Sequence, residues 1–497
     1  MVASRDRGRL WHYWLPIWLI TGARRGRSST PFMIRVFGYY VSGINLVLGA
    51  LEAVLFFCAF YLGLMVRFGW AYPHDITAGD AVLTGLVFAL VMSLSVASMG
   101  LYQRGAHDRE AGFIVRLAFS FAIGTMLLAL IFYLFPVVTM GRGIMALALL
   151  FAFVGVVLVR EIFARIANAG AQKRRVLVLG AGVNAQRIAE LEHGNRRLGF
   201  CVVGYVPLPR SQRLIEDAKL LTEKGSLLEL AIANEIDEIV VAADDRRRKL
   251  PVGELLDCKM SGFAVLDLLT FFEKEFAVVK IDLLHPSWIF FSQNGFRMGV
   301  SGLYGKRLLD LALGSLMLAV ASPLMLAVAL ASLVESRGRA PVLYQQIRIG
   351  QDGMPFRVYK FRSMRVDAEA DGRPRWAVKN DKRITPLGAF IRRTRLDELP
   401  QLFNVLKGQM SLVGPRPERP EFVAQLTTGI PYYAERHRVK PGVTGWAQLL
   451  YPYGSDEEDA KRKLEFDLYY VKHAGVVLDL IILLQTVEVI LMGKGAR

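Results

Sequence analysis

The sequence predicts a membrane α/β protein: a four-helix transmembrane bundle, a Rossmann-like parallel α/β domain, and a mixed α+β domain anchored by a re-entrant helix. Three observations carry that prediction. Four apolar stretches, near 42–66, 80–101, 112–136 and 143–160, each approach or exceed the ~20 residues a spanning helix needs. After residue 174 the pattern changes to short buried runs alternating with helical stretches, the order that builds a parallel sheet. A fifth apolar run, Leu308 to Val334, is interrupted at Ser322-Pro323 and leads into a basic, motif-rich region.

Composition agrees. Hydrophobic residues make up 53% of the 497, mean hydropathy is +0.34, and 61 Lys and Arg against 44 Asp and Glu give a net charge of +17. That length predicts about three domains. A basic, apolar chain points to an anionic membrane face as partner, and the long apolar runs favour lipid over nucleic acid. Three widely spaced cysteines (Cys58, Cys201, Cys258) make neither a disulfide framework nor a metal cluster, which fits a reducing compartment for the soluble parts.

Residues 1–40 form a basic arm with Arg5, Arg7, Arg9, Arg24, Arg25 and Arg27. No apolar segment followed by a small-residue cleavage site occurs there, so a cytoplasmic arm is expected rather than a cleaved signal peptide. Over 41–165 come the four spans. The arm, the loop at 102–111 and the exit past Arg160 are basic, whereas the loops at 67–79 and 137–142 hold one arginine each. By the positive-inside rule both ends of the bundle are cytoplasmic.

The Rossmann-like domain is placed at 172–270. Arg175-Val-Leu-Val-Leu179 reads as a buried strand, and Gly180-Ala-Gly-Val-Asn184 as the turn into a helix. A nicotinamide site wants an acid at the end of the second strand. That strand reads Cys201-Val-Val-Gly-Tyr205-Val-Pro207, without a carboxylate, so a structural or regulatory domain is expected.

A linker follows at 271–305, then the membrane helix at 306–335. Arg337, Arg339, Arg348, Arg357, Lys360, Arg362 and Arg365 argue against translocation of what comes next. Pro323 breaks the helical ladder and Ser322 can satisfy a freed carbonyl, so the helix is expected to dip into the bilayer and return. Lys306, Arg307, Arg337 and Arg339 are then expected on anionic headgroups. The third domain occupies 336–497. Its tail, Val471 to Met492, contains Asp479 and Glu488, acids too costly for hydrocarbon, and is expected to lie amphipathically at the interface.

Within that domain, Arg395-Leu-Asp-Glu-Leu-Pro-Gln401 sets two adjacent carboxylates, Asp397 and Glu398, just before a proline and an apolar helix, Leu402 to Lys407. Pro400 suits a first helical turn, which puts the acid pair at a helix N-terminus beside a place for phosphate. An ionised carboxylate there can attack a phosphoryl group. Arg362, Arg392, Arg393, Arg395 and Arg416 supply guanidinium forks for phosphate oxygens. Arg416 stands between Pro415 and Pro417, on a backbone with two fixed φ angles.

Five motifs in order complete the picture: Lys306-Arg-Leu-Leu-Asp310, Lys360-Phe-Arg-Ser-Met364, Arg395 to Gln401, Ser411-Leu-Val-Gly-Pro-Arg-Pro-Glu418 and Lys440-Pro-Gly-Val-Thr-Gly-Trp-Ala-Gln448. Together they resemble the bacterial sugar transferases, the monotopic polyprenyl-phosphate phosphoglycosyl transferases, over about 301–497. The bundle and Rossmann-like domain in front resemble the long form that starts exopolysaccharide or O-antigen synthesis. Leu449-Leu-Tyr-Pro-Tyr-Gly454 stands where many relatives have Asn-Gly-Arg, and is closer to the exosortase-associated branch.

The resemblance implies transfer of a sugar 1-phosphate from a UDP-sugar to undecaprenyl phosphate, with UMP released, at the cytoplasmic face of a bacterial inner membrane. It implies Asp397 as nucleophile, Glu398 as its partner and Mg²⁺ ligand, and substrate contacts from Lys360, Arg362, Arg392, Arg395, Arg416 and Gln448. Trp446 is read as an interfacial anchor or a substrate-loop residue, His437 as a weak catalytic candidate, and a homodimer as compatible with the bundle. A membrane-anchored nucleotide-sugar dehydratase or epimerase fits less well. None of the 17 tyrosines has a lysine four residues later, Tyr344 being followed by Arg348. A non-enzymatic scaffold is disfavoured by the intact acid pair and its arginines.

Overall fold

The computed structural model describes residues 33–36, 39–69, 78–102, 110–135, 138, 140–170, 173–194, 199–209, 213–221, 225–245, 250–285, 299–366, 368, 383–451 and 456–491. The arm over 1–32, the loops over 70–77 and 103–109, and residues 286–298 of the expected linker lie outside them. The chain divides into two units: one built mainly from 157–266, the other from 45–156 with 267–497.

Two short paired strands, β1 (Met33–Val36) and β2 (Tyr39–Ser42), precede four apolar helices: α1 (Gly43–Phe68), α2 (Ala78–Ser98), α3 (Glu110–Leu134) and α4 (Arg142–Gly170). Phe121 of α3 meets Phe56 of α1 and Phe153 of α4 edge to face, with ring centres 6.3 and 5.3 Å apart. Val54, Leu90 and Met126 are exposed apolar side chains, as lipid-facing residues are. With the helix at 300–335, five helices among the described residues are long and apolar enough to cross a membrane.

The unit with the parallel sheet runs β3 (Arg174–Leu179), α5 (Val183–Gly194), β4 (Phe200–Val206), α6 (Leu227–Ala233), β5 (Glu238–Val241), α7 (Val252–Met260) and β6 (Ala264–Asp267). The sheet order is β4-β3-β5-β6, with β3 parallel to both β4 and β5. Strand β3 is central, so Val176 to Leu179 are buried on both faces, as a continuous apolar run requires.

The glycine turn of this unit is already satisfied from within. The backbone N–H groups of Val183 and Asn184 donate to the Asp244 carboxylate at 3.2 and 2.8 Å, and the Asn184 side chain donates to the Ala243 carbonyl at 3.1 Å. Gly180 has φ +128°, and a Cβ there would stand 2.6 Å from the Ala242 carbonyl, so the glycine serves packing of β3 against the β5 exit. Leu214 N–H bonds the Ala181 carbonyl (2.8 Å) and Leu221 N–H that of Tyr205 (2.9 Å), laying the 213–221 segment across the strand ends. A carboxylate of the domain itself thus takes the amides that would meet a pyrophosphate. Asp244→Ala is expected to loosen the first turn of α5 by about 1 kcal/mol, the usual cost of losing an N-terminal acceptor. Amide exchange at Val183 to Ala185 should quicken accordingly, with turnover unchanged.

Helix α8 (Leu268–Phe276) continues from β6 without a spacer, Asp267 accepting from Thr270 N–H at its start. Leu269, Val279, Ile281 and Leu284 then join the core of the second unit. Residues 268–285, divided in the sequence reading between the Rossmann-like domain and a linker, are therefore part of that core. Buried Glu273 pairs there with Lys472 (2.7 Å) and His473 (2.5 Å).

Helix α9 (Val300–Glu335) is 36 residues long and continuous through Pro323, with the Ser322 hydroxyl donating to the Ala319 carbonyl at 2.8 Å. At about 1.5 Å per residue it is roughly 54 Å long, well beyond a ~30 Å hydrocarbon core. Both of its halves pack on the second unit. Near the start, Arg307 donates to the carbonyls of Val405 and Leu406 at 2.7 Å each. Near the end, Met325 and Val328 pack with Phe361 and Ile391, and the Glu335 carboxylate accepts from Leu387 N–H at 3.0 Å.

The rest of the unit comprises β7 (Leu343–Ile349), β8 (Pro355–Phe361), α10 (Pro386–Arg393), α11 (Gln401–Leu406), β9 (Ser411–Val413), α12 (Pro420–Gly429), β10 (Gly442–Thr444), α13 (Trp446–Leu450), α14 (Glu457–His473) and α15 (Val476–Leu491). Its core joins Val405, Met410, Leu412, Trp446, Leu464, Leu468, Leu478 and Ile482.

Three expectations are corrected here. Lys306 is not on the headgroups: its ammonium is buried against Asp479, the Tyr470 hydroxyl (3.0 Å) and the Val413 carbonyl (3.0 Å), while Arg307 holds the carbonyl end of α11. Helix α15 is not a peripheral amphipathic helix. Its acids look unpaired by hydropathy, but Asp479 meets Lys306 and Glu488 meets Arg116 of α3 at 3.3 Å, so the helix enters the core. Trp446 is no interfacial anchor: it is 4% exposed, donates to the Ala277 carbonyl at 3.0 Å and stacks on Tyr469.

Candidate active site

Strands β7 and β8 pair antiparallel, with Tyr344 opposite Lys360. Alternation along β7 sends Tyr344, Gln346 and Arg348 to the face that also carries Lys360, and all four line a cavity of about 640 Å³. Past β8 the chain turns at Arg362-Ser363, where α10 closes on it. A Cβ on Gly388 would stand 2.0 Å from the Ser363 carbonyl, so only glycine allows that approach. Thr385 caps α10 by accepting from Gly388 N–H at 2.9 Å. Successive residues on a helix point about 100° apart, and Arg392 lines the cavity while the following Arg393 does not.

The acid pair lies on a 3₁₀ turn, Leu396–Glu398, before α11 rather than in the first turn of that helix. Arg395 enters this turn with φ +59°, a left-handed conformation that is uncommon for a residue with a side chain. Asp397 and Glu398 both face the cavity. Their surroundings differ. One oxygen of Glu398 accepts from Lys360 Nζ at 2.9 Å and from Arg416 Nη2 at 3.0 Å. Asp397, among the described residues, accepts no hydrogen bond and forms no ion pair, although Lys360, Arg392 and Arg416 bear on it electrostatically.

The pKa shifts follow. Burial raises the Asp397 carboxyl, the adjacent Glu398 charge raises it further, and the surrounding cations only partly offset this. Burial also works against the Glu398 charge, but Lys360 and Arg416 prevail and hold that carboxyl far below the usual carboxylate range. Lys360 is lowered, mainly by burial. The site therefore holds one carboxylate neutralised by two cations beside one that is not.

Arg416 rests on a platform made by the last two motifs. β9 and β10 pair parallel, Ser411 N–H bonding the Pro441 carbonyl (2.9 Å) and Gly414 N–H that of Thr444 (2.9 Å). Backbone packs directly on backbone here, since a Cβ on Gly442 would fall 2.0 Å from the Gly414 nitrogen. That close approach accounts for the glycines in both motifs.

Of the residues singled out from sequence, Lys360, Arg362, Arg392, Arg395, Asp397, Glu398 and Arg416 come together around the cavity. One terminal nitrogen of Arg362 is buried and, among the described residues, without a partner. Gln448 is not in the lining; its amide turns to the Val443 carbonyl within the platform. His437 is also outside it, and burial with Arg436 beside it pushes its ring down to about 4, leaving it neutral. The sequence reading missed Arg383, Arg419 and Phe422 as lining residues, and used Arg348 and Arg365 only for orientation. For Arg348 the β7 alternation was the available signal.

Residues 301–493 match the family described as bacterial sugar transferase. The chain is 45% identical over 221 residues to the UDP-N-acetylgalactosamine-undecaprenyl-phosphate N-acetylgalactosaminephosphotransferase of Aeromonas hydrophila, covering 44% of this chain and half of that protein. It is 36% identical over 351 residues to the UDP-glucose:undecaprenyl-phosphate glucose-1-phosphate transferase of Escherichia coli K12 (66% of this chain, 70% of the relative). With the protein of the same description from Klebsiella pneumoniae, identity is 37% over 346 residues, covering 68% and 72%.

Proposed function

The chain belongs to the bacterial sugar transferase family, and from that premise we propose that it transfers a sugar 1-phosphate from a UDP-sugar to undecaprenyl phosphate by double displacement. Asp397 attacks the phosphorus that carries the sugar, the bond to the bridging oxygen breaks, and UMP leaves. A phosphate oxygen of the lipid then attacks the same phosphorus, frees Asp397 and forms the diphosphate-linked sugar. The sugar's own C–O bond is untouched, so its anomeric configuration is kept. The carrying observation is the asymmetry of the pair: Glu398 is neutralised by Lys360 and Arg416, whereas Asp397 is not engaged. A nucleophile needs its lone pairs free.

Arg362, Arg392, Arg395 and Arg416 would hold the phosphates, their forks matching the oxygens. Among the described residues no three His, Cys, Asp or Glu side chains form a cage for a metal. Lys360 and Arg416 share one oxygen of Glu398, so its other oxygen, with the diphosphate, would hold Mg²⁺, an ion commonly bound by one or two carboxylates plus substrate phosphates. When bound it would supply positive charge to the oxygens that gain charge in transfer.

The site belongs at the cytoplasmic face of a bacterial inner membrane, where UDP-sugars are. The loop charges support this, as does the Arg116–Glu488 pair joining the basic end of α3 to α15. Contacts of both halves of α9 with one unit support a helix that enters the bilayer and returns. The relatives' names differ in the sugar, glucose in two and N-acetylgalactosamine in one. Initiation of an exopolysaccharide or O-antigen is the corresponding role.

Detergent-solubilised protein with Mg²⁺ should release UMP from one UDP-sugar over many turnovers only when undecaprenyl phosphate is added, and no more than one UMP per site without it. Without the lipid it should exchange labelled UMP into that UDP-sugar. Turnover without exchange would leave the transfer standing and remove the covalent intermediate.

A further inference from the structure

The loop that delivers Arg416 has three consecutive carbonyls, and each has its own donor. Gly442 N–H holds that of Pro415 at 3.0 Å, Arg436 Nη2 that of Arg416 at 3.0 Å, and Arg348 Nη1 that of Pro417 at 3.1 Å. Proline on both sides of Arg416 removes two N–H groups and fixes two φ angles, so those carbonyls are the handles by which the loop is held. Arg436 is the handle at the residue that matters. It is 5% exposed and stands outside the cavity lining, pairing with Asp467 of α14 at 2.7 Å and donating to the Tyr433 hydroxyl at 2.7 Å. Asp467 is 2% exposed, on a helix whose Leu464, Leu468 and Tyr469 are in the core.

Resting on the transfer reading above, we propose that Arg436, anchored by Asp467, is a positioning residue: it pins the Arg416 carbonyl and so sets the guanidinium that neutralises Glu398 beside the nucleophile. A buried ion pair of this kind adds little net stability compared with apolar replacements. Its geometry has a different consequence, because a side chain about 3 Å from Glu398 is reached through a backbone oxygen that a core helix holds in place.

The test is a double-mutant cycle on lipid-dependent UMP release, with Arg436→Lys, Arg416→Ala and both together. Lysine keeps the charge facing Asp467 and loses the fork to the Arg416 carbonyl. If Arg436 acts through Arg416, Arg436→Lys lowers kcat/KM by about 30-fold alone and less than about threefold when Arg416 is already alanine, since linked sites are not additive. An equal fold-loss in both backgrounds makes Arg436 an ordinary core residue and overturns the proposal. Should Arg436→Lys fail to fold, Tyr433→Phe, which deletes one oxygen and keeps the ion pair, is read against Arg416→Ala by the same criterion. Wild-type protein silent with every UDP-sugar would overturn the transfer reading and this inference with it; an active wild type with additive losses overturns this inference alone.

Discussion

Asp397→Asn is expected to lower turnover by about 10⁴-fold or more, as loss of an attacking group does, and yet to melt at a higher temperature than the wild type. The two effects have one cause. Burial raises the carboxyl and the Glu398 charge beside it raises it further, so the folded protein holds the ionised form less willingly than the unfolded chain does. A carboxyl raised in this way makes folding less favourable as pH climbs from the ordinary aspartate value through the folded value, and the penalty is complete above it. Asparagine has no charge to lose. The gain in melting temperature should therefore be largest near neutral pH and vanish below the ordinary aspartate range. Wild-type kcat/KM should fall on the acid side with a midpoint above that of a free aspartate, because protonation removes the attacking lone pair. Equal melting of the two proteins at every pH would show that Asp397 is not strained by its site. The partner should behave oppositely: Glu398→Gln leaves Lys360 and Arg416 without their anion.

The cationic cavity was legible because its chemistry is written in residue type. The acid pair, Arg362, Arg392, Arg395 and the proline-flanked Arg416 were singled out by type, and they line one cavity. What depends on distant pairing was not legible. Hydropathy treats Asp479 as an acid stranded in an apolar helix, since its partner Lys306 is 173 residues away; read alone, each predicts a membrane surface, and together they make a core. Trp446 carries the same ambiguity, its ring serving an interface or an interior equally well until Tyr469 is placed beneath it. Gln448 stands in a motif whose glycines shape the platform under Arg416, so its proximity in sequence to functional loops did not translate into the cavity. The glycine turn after β3 is a subtler case. Its glycines were visible, but the Asp244 carboxylate that satisfies its amides comes from the end of a different strand.

Lys306→Met is the second change expected to act strongly, and it separates two physical pictures of the membrane helix. The ammonium and Asp479 are 7% and 1% exposed as side chains, with the Tyr470 hydroxyl donating to Asp479 at 2.7 Å and Lys306 donating to the Val413 carbonyl at 3.0 Å. Removing one member of such a pair strands the other charge, at a cost of about 3–5 kcal/mol. For a unit of this size that is a fall of roughly 10 °C in melting temperature, compared at one scan rate because unfolding of a membrane protein is seldom reversible. Activity should fall as well, since Val413 leads directly into the loop that carries Arg416. Lys306→Met with Asp479→Leu should recover most of the melting temperature, because replacing both charges by apolar groups leaves nothing unpaired. A lysine on lipid headgroups behaves otherwise: its loss weakens binding to anionic vesicles, leaves melting in detergent unchanged, and gains nothing from a second substitution in α15. Melting of both variants in detergent, alongside their partition onto anionic vesicles, decides between a helix tethered to lipid at its base and one bolted to the enzyme's core.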